Sequence, residues 1–343
     1  MRVQPSWRWP RNLGWTIWSL LGLCFLGTAS VLATEPPAQW KIEWPNTDFS
    51  KTTIDLAEIR SGGPGKDGIP AIDQPRFMPL AEYAGTDGSE PVIGVTVGGQ
   101  SRAYPLRILI WHEIVNDRLG GVPIAVTYCP LCNTAVVFDR RLGDRELDFG
   151  TTGNLRYSDM VMYDGPTESW WQQYGGEAIV GVLAGERLKI LPSRLESLDE
   201  FRARAPHSEV LVPNDPRFRN YGANPYVGYD RSALPFLYGG KLPQGIEPMM
   251  RVIAVDDVAW TLPLVRAAGS LRQDGLELRW TGGQRSALDS AQIAEGREVG
   301  TVTVTRDGRD LPHVMTFAFA FFAFNPQGVL HTEEGPLRQA GRR

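Results

Sequence analysis

Cysteine is nearly absent from this chain: 343 residues contain three, and Cys24 sits inside an N-terminal apolar stretch. That leaves Cys129 and Cys132, in TYCPLCN, as the thiols available for chemistry. Without a second C-x-x-C, a closed tetrathiolate metal site is excluded, and any bound metal must recruit other ligand types. Histidine is scarce too, with four residues, and HEIVND is not H-E-x-x-H because position 116 is Asn. Basic charge is also lacking. Lys and Arg number 35 against 39 Asp and Glu, a net charge of -4, near -7 if Arg2, Arg8 and Arg11 are removed with the N-terminus. Such a balance does not suit nucleic acid. There is no nucleotide or flavin motif, and Ser158 lacks the G-x-S-x-G setting of a hydrolase nucleophile. Long apolar runs are limited to residues 13–32.

That one run shapes the domain reading. Three arginines, an apolar stretch of about 20 residues and a small-residue site ending at Ala33 read as a signal peptide over 1–33, or as an uncleaved N-terminal anchor able to tether the chain to a membrane. Export to the periplasm or cell envelope follows as the expected location. An oxidising compartment turns an unprotected vicinal thiol pair into a disulfide unless a metal holds it. Residues 34–89, with EPPAQW and GGPGKDGIPAIDQPRF, read as an extended lead-in rich in Pro and Gly. Residues 90–330 read as a single β-rich domain.

Thirty-seven glycines and 26 prolines among short apolar runs favour an α+β, β-rich fold, with mixed or antiparallel sheets and a few short helices. VIGVTV and GGQSRAYPL predict a hairpin ending at Pro105. LRILIWHEIVND (106–117) carries Leu106, Leu109, Ile110 and Ile114 at helical spacing and predicts a helix. VPIAVTY and TAVVFDR are β-branched runs on either side of the cysteines, which places C-x-x-C in a hairpin turn. Ser197 and Glu200 form a capping box for a helix over LDEFRARA. A hairpin is expected about Asp307-Gly308, followed by a buried aromatic run to Phe324. VIGVTVGGQSRAYPL (92–106) and VIAVDDVAWTLPL (252–264) match when two residues are dropped from the turn, which predicts pseudo-symmetric halves over about 90–200 and 250–330.

AYPLRILIWHEIVND, VTYCPLCNTAVVFDR, DFGTTGNL, DMVMYD and TESWWQQYGGEAIVG together resemble the bacterial and archaeal domain of unknown function 3179 family, from about Gly68 to the region of Phe324. The resemblance implies an exported or envelope protein and supplies no activity. Members of that family usually carry Gly after the second cysteine, where this chain has Asn133.

C-P-x-C followed by Gly or Asn is the pattern of a metal knuckle, a tight turn that aims both sulfurs at one centre. The residue after the second cysteine needs a positive φ, which Gly adopts freely and Asn tolerates next best. His112, on the predicted helix before the first thiol strand, is the leading third ligand. Met162, which shares a strand face with Met160 in DMVMY, would complete a soft set suited to copper; zinc is the other metal considered. Glu113, Asn116, Asp117 and Asp159 are expected as supporting polar groups around the ligands. The leading expectation is thus an exported copper or zinc protein for metal handling or electron transfer, its partners an envelope component or a small ligand. Two readings compete with it. C-P-x-C also resembles a thiol-disulfide oxidoreductase couple, although TAVVF reads as strand where such a couple opens a helix. A plain structural disulfide in a non-catalytic binding or scaffold protein is the third reading.

Overall fold

The computed structural model describes residues 35–339; the signal-peptide or anchor reading of 1–33 lies outside the described residues. A short helix, α1 (Ala38–Glu43), precedes β1 (Ile59–Ser61) and β2 (Arg76–Pro79). The hairpin β3 (Pro91–Val97) and β4 (Gln100–Pro105) runs directly into α2 (Leu106–His112). A meander follows, β5 (Ile114–Leu119), β6 (Val122–Cys129) and β7 (Thr134–Asp139), then a ribbon of β8 (Arg141–Leu142) and β9 (Arg145–Glu146). The next strands are β10 (Phe149–Arg156), β11 (Asp159–Asp164), β12 (Trp170–Gln172), β13 (Glu177–Val180) and β14 (Lys189–Leu191). β15 (Ser193–Ser197) leads through α3 (Leu198–Arg204) to β16 (Glu209–Val212). Beyond a long irregular segment come the hairpin β17 (Arg251–Val255) and β18 (Val258–Thr261), then α4 (Leu262–Ala268). β19 (Ser270–Gln273), β20 (Leu276–Thr281), β21 (Thr301–Arg306) and β22 (Arg309–Asp310) form a separate meander. β23 (Val314–Phe317), α5 (Ala318–Phe324), β24 (Val329–Thr332) and β25 (Gly335–Leu337) complete the described chain. The fold is α+β and β-rich, with mixed and antiparallel sheets and short helices.

Two of the sheets are wired alike. One runs β15-β3-β4-β16-β2 and the other contains β23-β17-β18-β24-β25, and in each only the fourth strand joins its hairpin neighbour in parallel. In both, a hairpin feeds a seven-residue helix, and the chain later returns as strand, seven-residue helix, parallel strand. The registers correct the sequence match that paired Pro105 with Pro263. Ile93 faces Tyr104 and Ile253 faces Trp260, so Tyr104 and Trp260 are the equivalent positions. Pro105 is the N-cap of α2, whereas Pro263 lies inside the first turn of α4, where a missing N–H costs nothing.

The helix expected over 106–117 stops at His112. Glu113 caps it with φ 61°, and Ile114–Leu119 is strand, pairing antiparallel with β6 from Ile114↔Thr127 to Leu119↔Val122. The β-branched Ile114 and Val115 suit that strand, and a long-range partner decided the matter where local periodicity fitted either state.

The lead-in is not wholly extended. α1 lies within it, β1 pairs with β10, and β2 pairs with β16, each at a sheet edge. Trp44 is buried, with its ring edge-on to Trp170 at 5.4 Å and Lys66 Nζ 4.4 Å from its centroid, so aromatic burial fixes this Pro/Gly-rich segment to the β10–β13 sheet. Each of the two similarly wired sheets, with the helices and inserts its strands lead into, forms one unit, and the first unit's meander β5–β7 joins the second unit's sheet through Met315↔Ala135, which places the cysteine turn next to β23 in the main core. Among the described residues, no helix is long and apolar enough to cross a membrane.

Candidate metal centre

Cys129 is the last residue of β6 and pairs with Thr134 across a four-residue turn. Asn133 holds that turn at φ 53° and donates its N–H to the Pro130 carbonyl at 3.2 Å. Its left-handed backbone explains why Asn stands where Gly would otherwise be needed. The Asn133 Oδ1 accepts from the Tyr128 hydroxyl at 3.2 Å, a second anchor for the knuckle.

The third arm comes from another hairpin. β10 and β11 join through Tyr157 and Ser158, both at positive φ (54° and 64°), and Asp159 is the first residue beyond them. This turn brings the Ser158 carbonyl 3.6 Å from Cys129 Sγ and puts Asp159 Oδ1 2.9 Å from Cys132 Sγ. The ligand atoms of Cys129, Cys132 and Asp159 all lie within 4.8 Å of one another, and this cluster can hold a metal ion. Asp159 Oδ2 accepts from the Gln172 amide and from the Tyr174 backbone N–H, at 2.9 Å for the latter, so the carboxylate is oriented from behind. Both cysteines are free thiols.

Glu113 lies beside this cluster. Its backbone carbonyl accepts from Tyr128 N–H at 2.8 Å, one residue before Cys129, and its buried side chain interacts electrostatically with Asp159 and Cys129. A non-glycine residue at φ 61°, ψ -31° costs on the order of 1–3 kcal/mol, strain that persists where the surrounding structure requires it.

The electrostatics are one-sided. Burial pushes Glu113 up to about 8, helped by Asp159, and pushes Asp159 up to about 6 against the hydrogen bonds it accepts. Burial likewise raises Cys129, and raises Cys132 well above the ordinary thiol range. Among the described residues none of these four groups makes an ion pair. With only the charge of Arg156 acting on Asp159 to offset them, these four buried acids must largely either keep their protons or exchange them for a cation.

His112 is not brought to the thiols. Its Nδ1 donates to the Pro70 carbonyl at 2.8 Å, its Nε2 accepts from the Tyr221 hydroxyl at 2.8 Å, and its ring stacks on Phe218 and Tyr221. Both ring nitrogens are therefore engaged. The helix ends directly after it at Glu113, whose side chain interacts electrostatically with Asp159 and Cys129, while His112 faces Phe218 and Tyr221. Met162 is also displaced as a ligand. It is buried opposite Trp171 and Thr151, three residues along β11 from Asp159, a separation of about 10 Å at strand rise.

Nor do Asn116 and Asp117 support the site. Asn116 clasps the Phe149 backbone at both carbonyl and N–H and donates to Asp73 at 2.7 Å. Asp117 pairs with Arg102 at 2.8 Å and accepts from the Tyr104 hydroxyl at 2.6 Å. Asp159, expected only in support, is a primary ligand candidate, and Glu113 interacts with it electrostatically.

Sequence reasoning missed the covering segment. Residues 213–250 hold one short turn, Tyr229–Arg231, and cross above the knuckle. The Tyr229 hydroxyl donates to the Leu131 carbonyl, between the cysteines, at 2.7 Å, and Ser158 donates to the Phe236 carbonyl. Its irregular composition gives no periodic signal, and only the aromatic residues hint at contact with a core.

A thiol pair and an oriented carboxylate, each delivered by a left-handed turn in a β-rich frame, define a chain with a buried mixed sulfur–oxygen centre. The chain belongs to the family described as protein of unknown function (DUF3179), whose profile matches residues 66–328. No curated protein and no solved structure matches it.

Proposed function

We propose that this chain is an exported, envelope-facing metal-binding protein that holds one zinc ion through Cys129, Cys132 and Asp159, for metal handling. The observation that carries this reading is the burial of two thiols and two carboxyls together, Cys129 at 1%, Cys132 at 0%, Asp159 at 0% and Glu113 at 8% exposure, without an ion-paired partner among the described residues. A divalent cation satisfies that excess of acid by displacing protons. Between the two metals considered, zinc suits the set better. It accepts thiolate and carboxylate oxygen together in tetrahedral geometry, whereas the imidazole and thioether of a copper electron-transfer site are engaged elsewhere in this fold. Three protein ligands leave a fourth position, for which Glu113, whose buried carboxyl interacts electrostatically with Asp159 and Cys129, is the candidate proton acceptor or ligand.

The thiol-disulfide alternative is weakened by the same chemistry, since raised thiol pKa values keep both sulfurs in the unreactive protonated form. Elemental analysis and a free-thiol count on protein purified from the cell envelope test the proposal. One zinc per chain, lost in Cys129→Ser/Cys132→Ser, is expected. Metal content unchanged by that double substitution, or a disulfide in metal-free native protein, would overturn it.

A further inference from the structure

The second unit borders a cavity of about 570 Å³ that the sulfur centre does not use. That volume is in the range of small-molecule sites. Arg251, the first residue of β17, lines it while only 6% exposed. One end of its guanidinium is engaged, with Nη2 donating to Asp230 at 3.0 Å and to Ser286 at 2.8 Å, but its buried Nε has no hydrogen-bond partner. A buried guanidinium N–H left without an acceptor costs on the order of 1–3 kcal/mol, so the protein's own partners satisfy the Arg251 guanidinium only in part.

The buried end of the cavity wall favours an anion. The buried Asp230 carboxylate is shared by two guanidinium groups, Arg251 at 3.0 Å and Arg297 at 3.2 Å, which leaves one positive charge in excess. Arg266, on α4, lies 5.0 Å from the centroid of the Trp280 ring and makes no ion pair among the described residues. Two acids that also line the cavity, Glu247 and Glu298, are exposed and screened by solvent, and they repel a dianion about twice as strongly as a monoanion. The remaining wall includes Met249, Leu262 and the Trp280 ring.

We infer that this cavity binds a small organic monocarboxylate, its carboxylate received by Arg251 and Arg266 and its apolar body laid against Trp280, Met249 and Leu262. Arginine suits this task because its planar fork matches a carboxylate in two-point contact.

Isothermal titration of the full chain with 3-phenylpropionate, 3-phenylpropanamide and phenyl phosphate tests the inference. The acid should bind one to one, and the amide and the phosphate should each bind at least tenfold more weakly. Arg266→Gln, at an exposed helix position, should weaken the acid about tenfold while leaving the melting temperature in place. Cys129→Ser/Cys132→Ser should leave acid binding unchanged, which separates this cavity from the metal centre. Equal binding of acid and amide, tighter binding of the phosphate, full affinity in Arg266→Gln, or no binding of the acid would each overturn it.

Discussion

The two units share a hairpin, a seven-residue helix and a returning strand-helix-strand, yet they differ at one backbone position that matters. α4 ends at Gly269 with φ 67°, ψ -44°, and α2 ends in nearly the same conformation, φ 61°, ψ -31°, at Glu113. Gly269 meets that requirement without strain, and a Cβ there would enter open space. Glu113 bears the strain, and its buried side chain interacts electrostatically with Asp159 and Cys129. The inserts that follow differ in the same sense: after α2 the chain builds the strands carrying Cys129, Cys132 and Asp159, and after α4 it builds the meander β19–β22. The shared frame thus carries the cysteine–aspartate cluster beside one sheet only, and the strained glutamate stands on that side.

Substitutions at these paired positions sharpen or break that contrast. The largest effect is expected from Glu113→Gly, which relieves the strain and removes the buried acid. Zinc affinity should fall by about 10–100-fold, while the metal-free protein gains on the order of 1–3 kcal/mol at pH 8 in urea unfolding. Unchanged affinity would reduce Glu113 to a structural residue.

The pH dependence comes next. Glu113 and Asp159 are raised in the folded state, to about 8 and about 6. Between their unfolded values and these, the folded metal-free chain binds more protons than the unfolded chain. The stability contributed by these two groups is therefore fully present below about pH 4 and is lost as pH rises through 6 and then 8. Glu113→Gln should flatten the upper part of that decline in thermal scans, and zinc binding should strengthen as pH rises. A metal-free protein equally stable at pH 5 and pH 8 would contradict the burial argument.

A smaller contrast sits at the equivalent aromatics. Tyr104→Phe leaves the buried Asp117 without its 2.6 Å hydrogen bond and should cost about 1–2 kcal/mol, measured by denaturant midpoint. Trp260→Phe loses a bond to the part-exposed Gln273 and should lose less through hydrogen bonding, about 0.5–1 kcal/mol, before any loss of packing. Comparable effects belong to the left-handed positions. Gly269→Ala should cost about 1 kcal/mol without touching zinc affinity, and Asn133→Gly, which keeps the turn's backbone but removes the acceptor of the buried Tyr128 hydroxyl, should cost about 1 kcal/mol in denaturant midpoint.

Much of this was legible in local pattern. β-branched runs around C-P-L-C predicted the hairpin turn, and Asn133 predicted its positive φ. Ser197 and Glu200 predicted a capping box that is present in full. The echo of VIGV and VIAV pointed to paired hairpins, but its alignment on Pro-Leu was displaced, because identical letters need not occupy identical registers. LRILIWHEIVND was read one turn too far because its apolar spacing suits a helix throughout, and only pairing with β6 makes residues 114–119 a strand. His112 failed as a ligand for the same reason: the break at Glu113 sends adjacent side chains to different environments.

By itself the sequence determined the β-rich class, the cysteine turn and its left-handed fourth residue, because turn chemistry and strand alternation are written in neighbouring residues. Only tertiary structure chose the third arm of the centre. Asp159 reaches Cys132 across 27 positions of chain because two hairpins pack tip to tip, and long-range packing of that kind leaves no period in a one-dimensional string.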